Sequence, residues 1–259
     1  MAMTDAPIND VPTRNARWRG RLLASVAGHL LAGAVAVVLA AWLFRYLGGL
    51  PASVPAAALA TYALVAAAGL TGLGAHAPLV RFGPANRITL ARGVLTSLVA
   101  GAIPAAAGIG TPMVWALSGA ALLALMLDGV DGWLARRAAV SSGYGAAFDH
   151  NVDTVAMATL AVLVWRLGDV GAWVLLVGVL RPAYVLAGLA VPALVAPLPP
   201  SNRRRVVCAV QTAALVACLT PVLSPPLSSI AAGGSLALLI FSFSVDTVWS
   251  LRNRTARTH

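Results

Sequence analysis

The sequence contains no lysine and no glutamate: all 18 basic residues are arginine and all 8 acids are aspartate. Charge of either sign is scarce, at 10% of residues against 59% hydrophobic. A water-soluble domain has about a quarter of its residues charged, so that class is excluded. Cysteine is limited to Cys208 and Cys218, both within one apolar stretch. This excludes a disulfide framework or a zinc site and leaves two thiols packing as small apolar groups. The first twenty residues are polar and carry arginine, and the first apolar run is long. A cleaved signal peptide has a shorter apolar core and a small-residue cleavage site, so a retained first helix is expected.

Apolar runs long enough to cross a bilayer recur along the whole chain. They predict an all-α, polytopic membrane helix bundle of about eight transmembrane helices, at 22–44, 55–80, 91–110, 113–135, 146–166, 170–196, 206–224 and 227–250. The breaks carry turn-forming residues, as in GGLPASVP, GIGTP, PLPPSN and SPPLSS. Arginines cluster before the first span, between the second and third, after the fourth, before the seventh and after the eighth. With eight spans these clusters share one side, which the positive-inside rule makes cytoplasmic together with both termini. A bacterial inner membrane is the expected location. The net charge of +10 does not imply nucleic acid, because the arginines flank spans rather than lining a soluble face. The short basic segment 81–92, RFGPANRITLAR, reads as an interfacial helix ahead of the third span.

Half of the aspartates lie in one window, LDGVDGWLARRAAVSSGYGAAFDHNVD. Asp128 and Asp131 are three apart at the cytoplasmic end of the fourth span, and Asp149 and Asp153 are four apart at the start of the fifth. Each spacing puts both carboxylates on one helix face, and a hairpin between the spans brings the faces together. Four clustered carboxylates near a membrane repel one another, and divalent cations would neutralise them. Oxygen ligands favour magnesium, manganese or calcium over zinc. Gly132, Ala135 and Gly145 leave room for a ligand, and Arg136 can pair with phosphate oxygens, which suggests a diphosphate. A polar, solvated hairpin with helix-capping acids, or a cation or proton transporter using the aspartates, stays open on spacing alone.

At these residues the chain resembles the CDP-alcohol phosphatidyltransferase family. The pattern D-x2-D-G-x2-A-R-x8-G-x3-D-x3-D is kept at every position, as Asp128, Asp131, Gly132, Ala135, Arg136, Gly145, Asp149 and Asp153. The Asn-x-x-Thr-x-x-Arg pattern often found before the family's first core helix is present as Asn86, Thr89 and Arg92. The resemblance implies a six-helix core over about 81–255, preceded by a segment at 1–21 and two extra helices within 22–80. It implies that Asp128, Asp131, Asp149 and Asp153 hold two divalent ions, Mg2+ or Mn2+, with Asp153 also the general base and Asp149 catalytic. It implies that Gly132, Ala135, Arg136 and Gly145 line the CDP pocket, with Asn86 and Thr89 at its border. The implied reaction transfers a phosphatidyl group from CDP-diacylglycerol to a small alcohol, with release of CMP. Transfer from a soluble CDP-alcohol to diacylglycerol is the alternative within the family, and a homodimer among membrane lipids is expected.

The acceptor is not specified by the signature. Arg181 inside the sixth span and the run Arg203, Arg204, Arg205 are candidates for an acceptor phosphate, which mildly favours glycerol 3-phosphate or another anionic acceptor. A structural ion pair and a lipid-surface patch are the plainer readings of the same residues. Asp246 is expected to pair with a nearby arginine, and His150 to point away from Asp149.

Overall fold

The computed structural model describes residues 11–76, 81–137, 143–191 and 201–255, with the backbone alone described for 11–18, 74, 76, 130–137, 189 and 253–255. Among the described residues eight helices follow one another: α1 (Val11–Gly48), α2 (Ser53–Leu70), α3 (Pro84–Gly101), α4 (Thr111–Arg137), α5 (Gly143–Leu167), α6 (Leu175–Ala190), α7 (Asn202–Leu219) and α8 (Leu227–Thr255). Short 3-10 turns precede α3, follow it and lead into α6, and there is no strand among the described residues.

The helix ends follow from local chemistry. Gly49, just past α1, takes φ +61, and the amide of Leu50 closes back on the carbonyl of Arg45 at 3.0 Å. That left-handed stop suits glycine, which has no Cβ to clash. Pro84 opens α3, where its fixed φ fits the first turn and its missing N–H is not needed.

Among the described residues four stretches are long and apolar enough to cross a membrane: Arg19–Gly48, Ser53–Leu70, Thr111–Gly129 and Leu227–Arg252. A fifth apolar helix, Ala172–Gly188, is shorter. Leu31, Leu39, Leu47, Leu64, Leu186 and Ile230 point outward from the bundle. An apolar exterior of this extent belongs in lipid, and the chain is a multi-pass membrane protein.

The expected interfacial helix at 81–92 is not a separate element. Residues 84–92 are the first half of α3, which runs on without a break to Gly101. The reason lies in its polar residues. Asn86, Thr89, Arg92 and Thr96 are buried inside the bundle rather than turned toward headgroups. A polar face that finds protein partners has no need of the interface.

Among the described residues the interior has two apolar clusters. One is built from the end of α3 through α8, with Val99, Leu117, Leu163, Val177, Leu215 and Leu236 among its members. The other joins α1 and α2 to α3 and α5 through Leu22, Val26, Tyr62, Val65, Leu90 and Phe148. Close approach between helices relies on glycine where backbones nearly touch. A Cβ on Gly178 of α6 would stand 2.8 Å from Cα of Ala158 on α5. Gly178→Val is therefore expected to push α5 and α6 apart and to cost about 1–3 kcal/mol, read as a lower midpoint of thermal unfolding in detergent.

Candidate metal and diphosphate site

Three helices supply the site. α5 carries Asp149 and Asp153 one turn apart near its start, and α4 carries Asp128 toward its C-terminal end. α3 carries Asn86, Thr89 and Arg92 at successive steps of three, which places them along one face. Oxygens of Asp128, Asp149 and Asp153 lie within 4.8 Å of one another.

Arg92 stands among them. Its Nη2 is 2.8 Å from Oδ1 of Asp128 and also donates to Oδ1 of Asp153, while its Nη1 donates to Oδ1 of Asp149 at 2.5 Å. The arginine is 5% exposed, whereas the three carboxylates keep one edge open. The planar guanidinium can bridge groups in this way because its donors point in fixed, diverging directions.

Among the described side chains, three carboxylates share the Arg92 guanidinium. Two carboxylates about 4 Å apart repel by about 4 kcal/mol at an effective dielectric constant of about 20. Hard oxygen donors that converge and stay partly open to solvent are a donor set suited to a divalent cation. The residues present therefore fit a divalent ion.

The other expected site residues divide into three groups. Asn86 and Thr89 are buried on the same face as Arg92, and the Thr89 hydroxyl donates to the carbonyl of Ala85 at 3.2 Å. Gly145 lies in the first turn of α5, one turn before Asp149. The side chains of Asp131, Gly132, Ala135 and Arg136 lie outside the described residues, although their backbone continues α4.

The basic candidates separate as well. Arg181 on α6 contacts the imidazole of His150 through Nη2 and Nε2, so His150 is turned toward α6. Arg203 is committed to α8: it donates to the Ser242 carbonyl at 2.6 Å, to the Ser242 hydroxyl at 3.1 Å and to Oδ1 of Asp246 at 2.5 Å. Arg204 approaches the same Asp246 oxygen at 3.9 Å, and Arg205 faces outward. Asp246 thus has the arginine partner expected of it.

Arg92 is the site residue that sequence reasoning missed. Read by charge alone it belongs to a topology cluster with Arg81 and Arg87. The structure corrects this, since Arg92 is buried inside α3 and paired with three acids. The usable signal was its step of three from Thr89 and of six from Asn86.

The sequence profile of the CDP-alcohol phosphatidyltransferases (CDP-OH_P_transf) matches residues 82–243, more than half of the chain. No curated protein and no solved structure matches it.

Removing the guanidinium has a predictable cost. Arg92→Gln leaves three carboxylates without their shared counter-charge. The metal-free protein is expected to lose on the order of 2 kcal/mol, less than a fully buried pair because the acids are partly exposed. Millimolar Mg2+ or Mn2+ should recover more thermal stability in Arg92→Gln than in the parent. Equal responses of the two proteins to metal would contradict the role given to Arg92.

Proposed function

Because the chain belongs to the CDP-alcohol phosphatidyltransferase family, whose members act on CDP-alcohols and lipids and use divalent metals, we propose that it transfers a phosphatidyl group from CDP-diacylglycerol to a small anionic alcohol and releases CMP. The observation that carries this reading is the convergence of Asp128, Asp149 and Asp153 within 4.8 Å at the ends of apolar helices. The proposed place of work is the cytoplasmic face of a bacterial inner membrane, with the acyl chains in the bilayer and the nucleotide in water.

Asp128, Asp131, Asp149 and Asp153 would hold two divalent ions, Mg2+ or Mn2+. When bound, such ions neutralise the diphosphate and favour departure of the nucleotide. Asp153 is the proposed general base: it accepts the proton of the acceptor hydroxyl as that oxygen attacks the phosphorus next to the lipid. The bond from that phosphorus to the bridging oxygen breaks, and CMP carries the oxygen away. Asp149 and Asp128 keep the carboxylate cluster converged, with Arg92 holding all three acids in register. Gly132, Ala135, Arg136 and Gly145 line the proposed CDP pocket, bordered by Asn86 and Thr89.

Arg181, Arg204 and Arg205 are the proposed contacts for a phosphate or carboxylate on the acceptor, such as glycerol 3-phosphate. Arg203 supports that group from behind, since its donors are engaged by Ser242 and Asp246. A homodimer is the proposed assembly.

The test is CMP release by the purified protein in nanodiscs, with CDP-diacylglycerol, Mg2+ or Mn2+ and one acceptor at a time. Release that needs both metal and a single acceptor is expected. Failure with every acceptor, together with turnover of a soluble CDP-alcohol and diacylglycerol, would reverse the proposed donor and acceptor. Asp153→Asn is expected to lower turnover by roughly a hundredfold or more while CDP still binds. Parallel loss of turnover and CDP binding would remove Asp153 from the role of base.

A further inference from the structure

Helices α1 and α2 precede the residues that match the family, and no part of the chemistry above uses them. They are nevertheless joined to two of the three helices that carry the Arg92–aspartate contacts, α3 and α5. Before α3, the backbone amide of Phe82 donates to the hydroxyl of Ser25 on α1 at 3.1 Å. In the first turn of α5, the hydroxyl of Tyr144 donates to the carbonyl of Gly69 at the end of α2, at 2.7 Å. The three aromatic rings between these bonds are continuous. Tyr144 stacks on Phe148 at a centroid distance of 6.2 Å, and Phe148 meets Phe82 at 5.9 Å. All three rings are essentially fully buried.

The position of these residues in α5 matters more than their number. Tyr144, Phe148 and Val152 recur every four residues and are all buried in the cluster shared with α1 and α2. Gly145, Asp149 and Asp153 are the next residue in each case. Successive helical residues point about 100 degrees apart. Seating the first set against the hairpin therefore fixes where the second set points. α2 also lies close against α3 at the residue after Arg92: a Cβ on Gly93 would stand 2.6 Å from Cγ1 of Val65. Gly69 is a looser but still close contact, since a Cβ there would lie 3.4 Å from the Phe148 ring and 3.2 Å from Leu30.

We propose that the α1–α2 hairpin is a positioning brace that sets the rotation of α5, and with it the aim of Asp149 and Asp153 toward Arg92, acting through Tyr144, Phe148 and Phe82. Tyr144 is a positioning residue and touches no substrate. The inference rests on the phosphatidyltransferase reading only in taking the two aspartates as metal ligands.

The experiment measures Mn2+ binding to the full chain in nanodiscs by the loss of the free-ion electron paramagnetic resonance signal, without substrate. Tyr144→Phe keeps the ring and loses the bond to Gly69. It is expected to fold and to bind Mn2+ roughly tenfold more weakly, the low end for residues supporting metal ligands. Tyr62→Phe is the comparison, because the Tyr62 hydroxyl makes a like bond to the Leu30 carbonyl, 2.5 Å, wholly inside the hairpin. It is expected to lower the thermal midpoint and leave Mn2+ affinity at the parent value. Should Tyr144→Phe not fold, Phe148→Leu, which keeps apolar volume and loses the stack, gives the same readout. Parent-like Mn2+ affinity in the folded Tyr144 or Phe148 variant would overturn the brace, as would equal weakening in Tyr62→Phe. A parent that binds no Mn2+ would overturn the assigned metal ligands and the brace with them. A parent that binds Mn2+ but releases no CMP would overturn the reaction alone, and the variants would still decide the brace.

Discussion

The structure depends on one electrostatic constraint: carboxylates gathered at the ends of apolar helices need positive charge close by. Arg92 supplies part of it by donating to Asp128, Asp149 and Asp153 at once. Neither water nor lipid can do this for a cluster half sunk in a bundle, because the cost of desolvating charge rises as the surroundings become apolar. α3, α4 and α5 are therefore tied together at one end, where three carboxylates converge.

The rest of the fold maintains this convergence. Behind the site, the larger apolar cluster packs α3 to α8 with aliphatic side chains and a glycine contact at Gly178. To one side, the α1–α2 hairpin buries the face of α5 adjacent to the one bearing Asp149 and Asp153. At the other end of the chain, Arg203 and Asp246 join α7 to α8. That pair repeats the theme on a smaller scale, with one arginine and one aspartate satisfying each other between two helices. The absence of lysine suits such a design, since a guanidinium can bridge several oxygens where an ammonium acts as a point charge.

Much of this was legible in the sequence. The eight helices follow from apolar run lengths, and the aspartate faces follow from steps of three and four within helices. The resemblance to the family was read from eight positions between Asp128 and Asp153, and the match over residues 82–243 shows the family. Other features had a weak local signal or none. Arg92 resembled Arg81 and Arg87 by charge, and only tertiary packing distinguishes a buried bridging arginine from one facing headgroups. The same ambiguity made 81–92 look interfacial, because a polar helix face reads alike whether its partner is lipid or protein. Arg203 and Asp246 are 43 positions apart, so their pairing depends on how α7 and α8 meet. The rotation of α5 also stayed hidden, since Tyr144, Phe148 and Val152 read only as ordinary apolar residues until α2 is seen against them.

The central claim is that converging helices build a carboxylate site that takes a nucleoside diphosphate through divalent metal. The most direct measurement is a calorimetric titration of CDP into the protein in nanodiscs, with Mg2+ present and then with Mg2+ chelated. The account predicts saturable binding that requires Mg2+. Equal CDP binding with and without the metal, or no CDP binding in its presence, would contradict it.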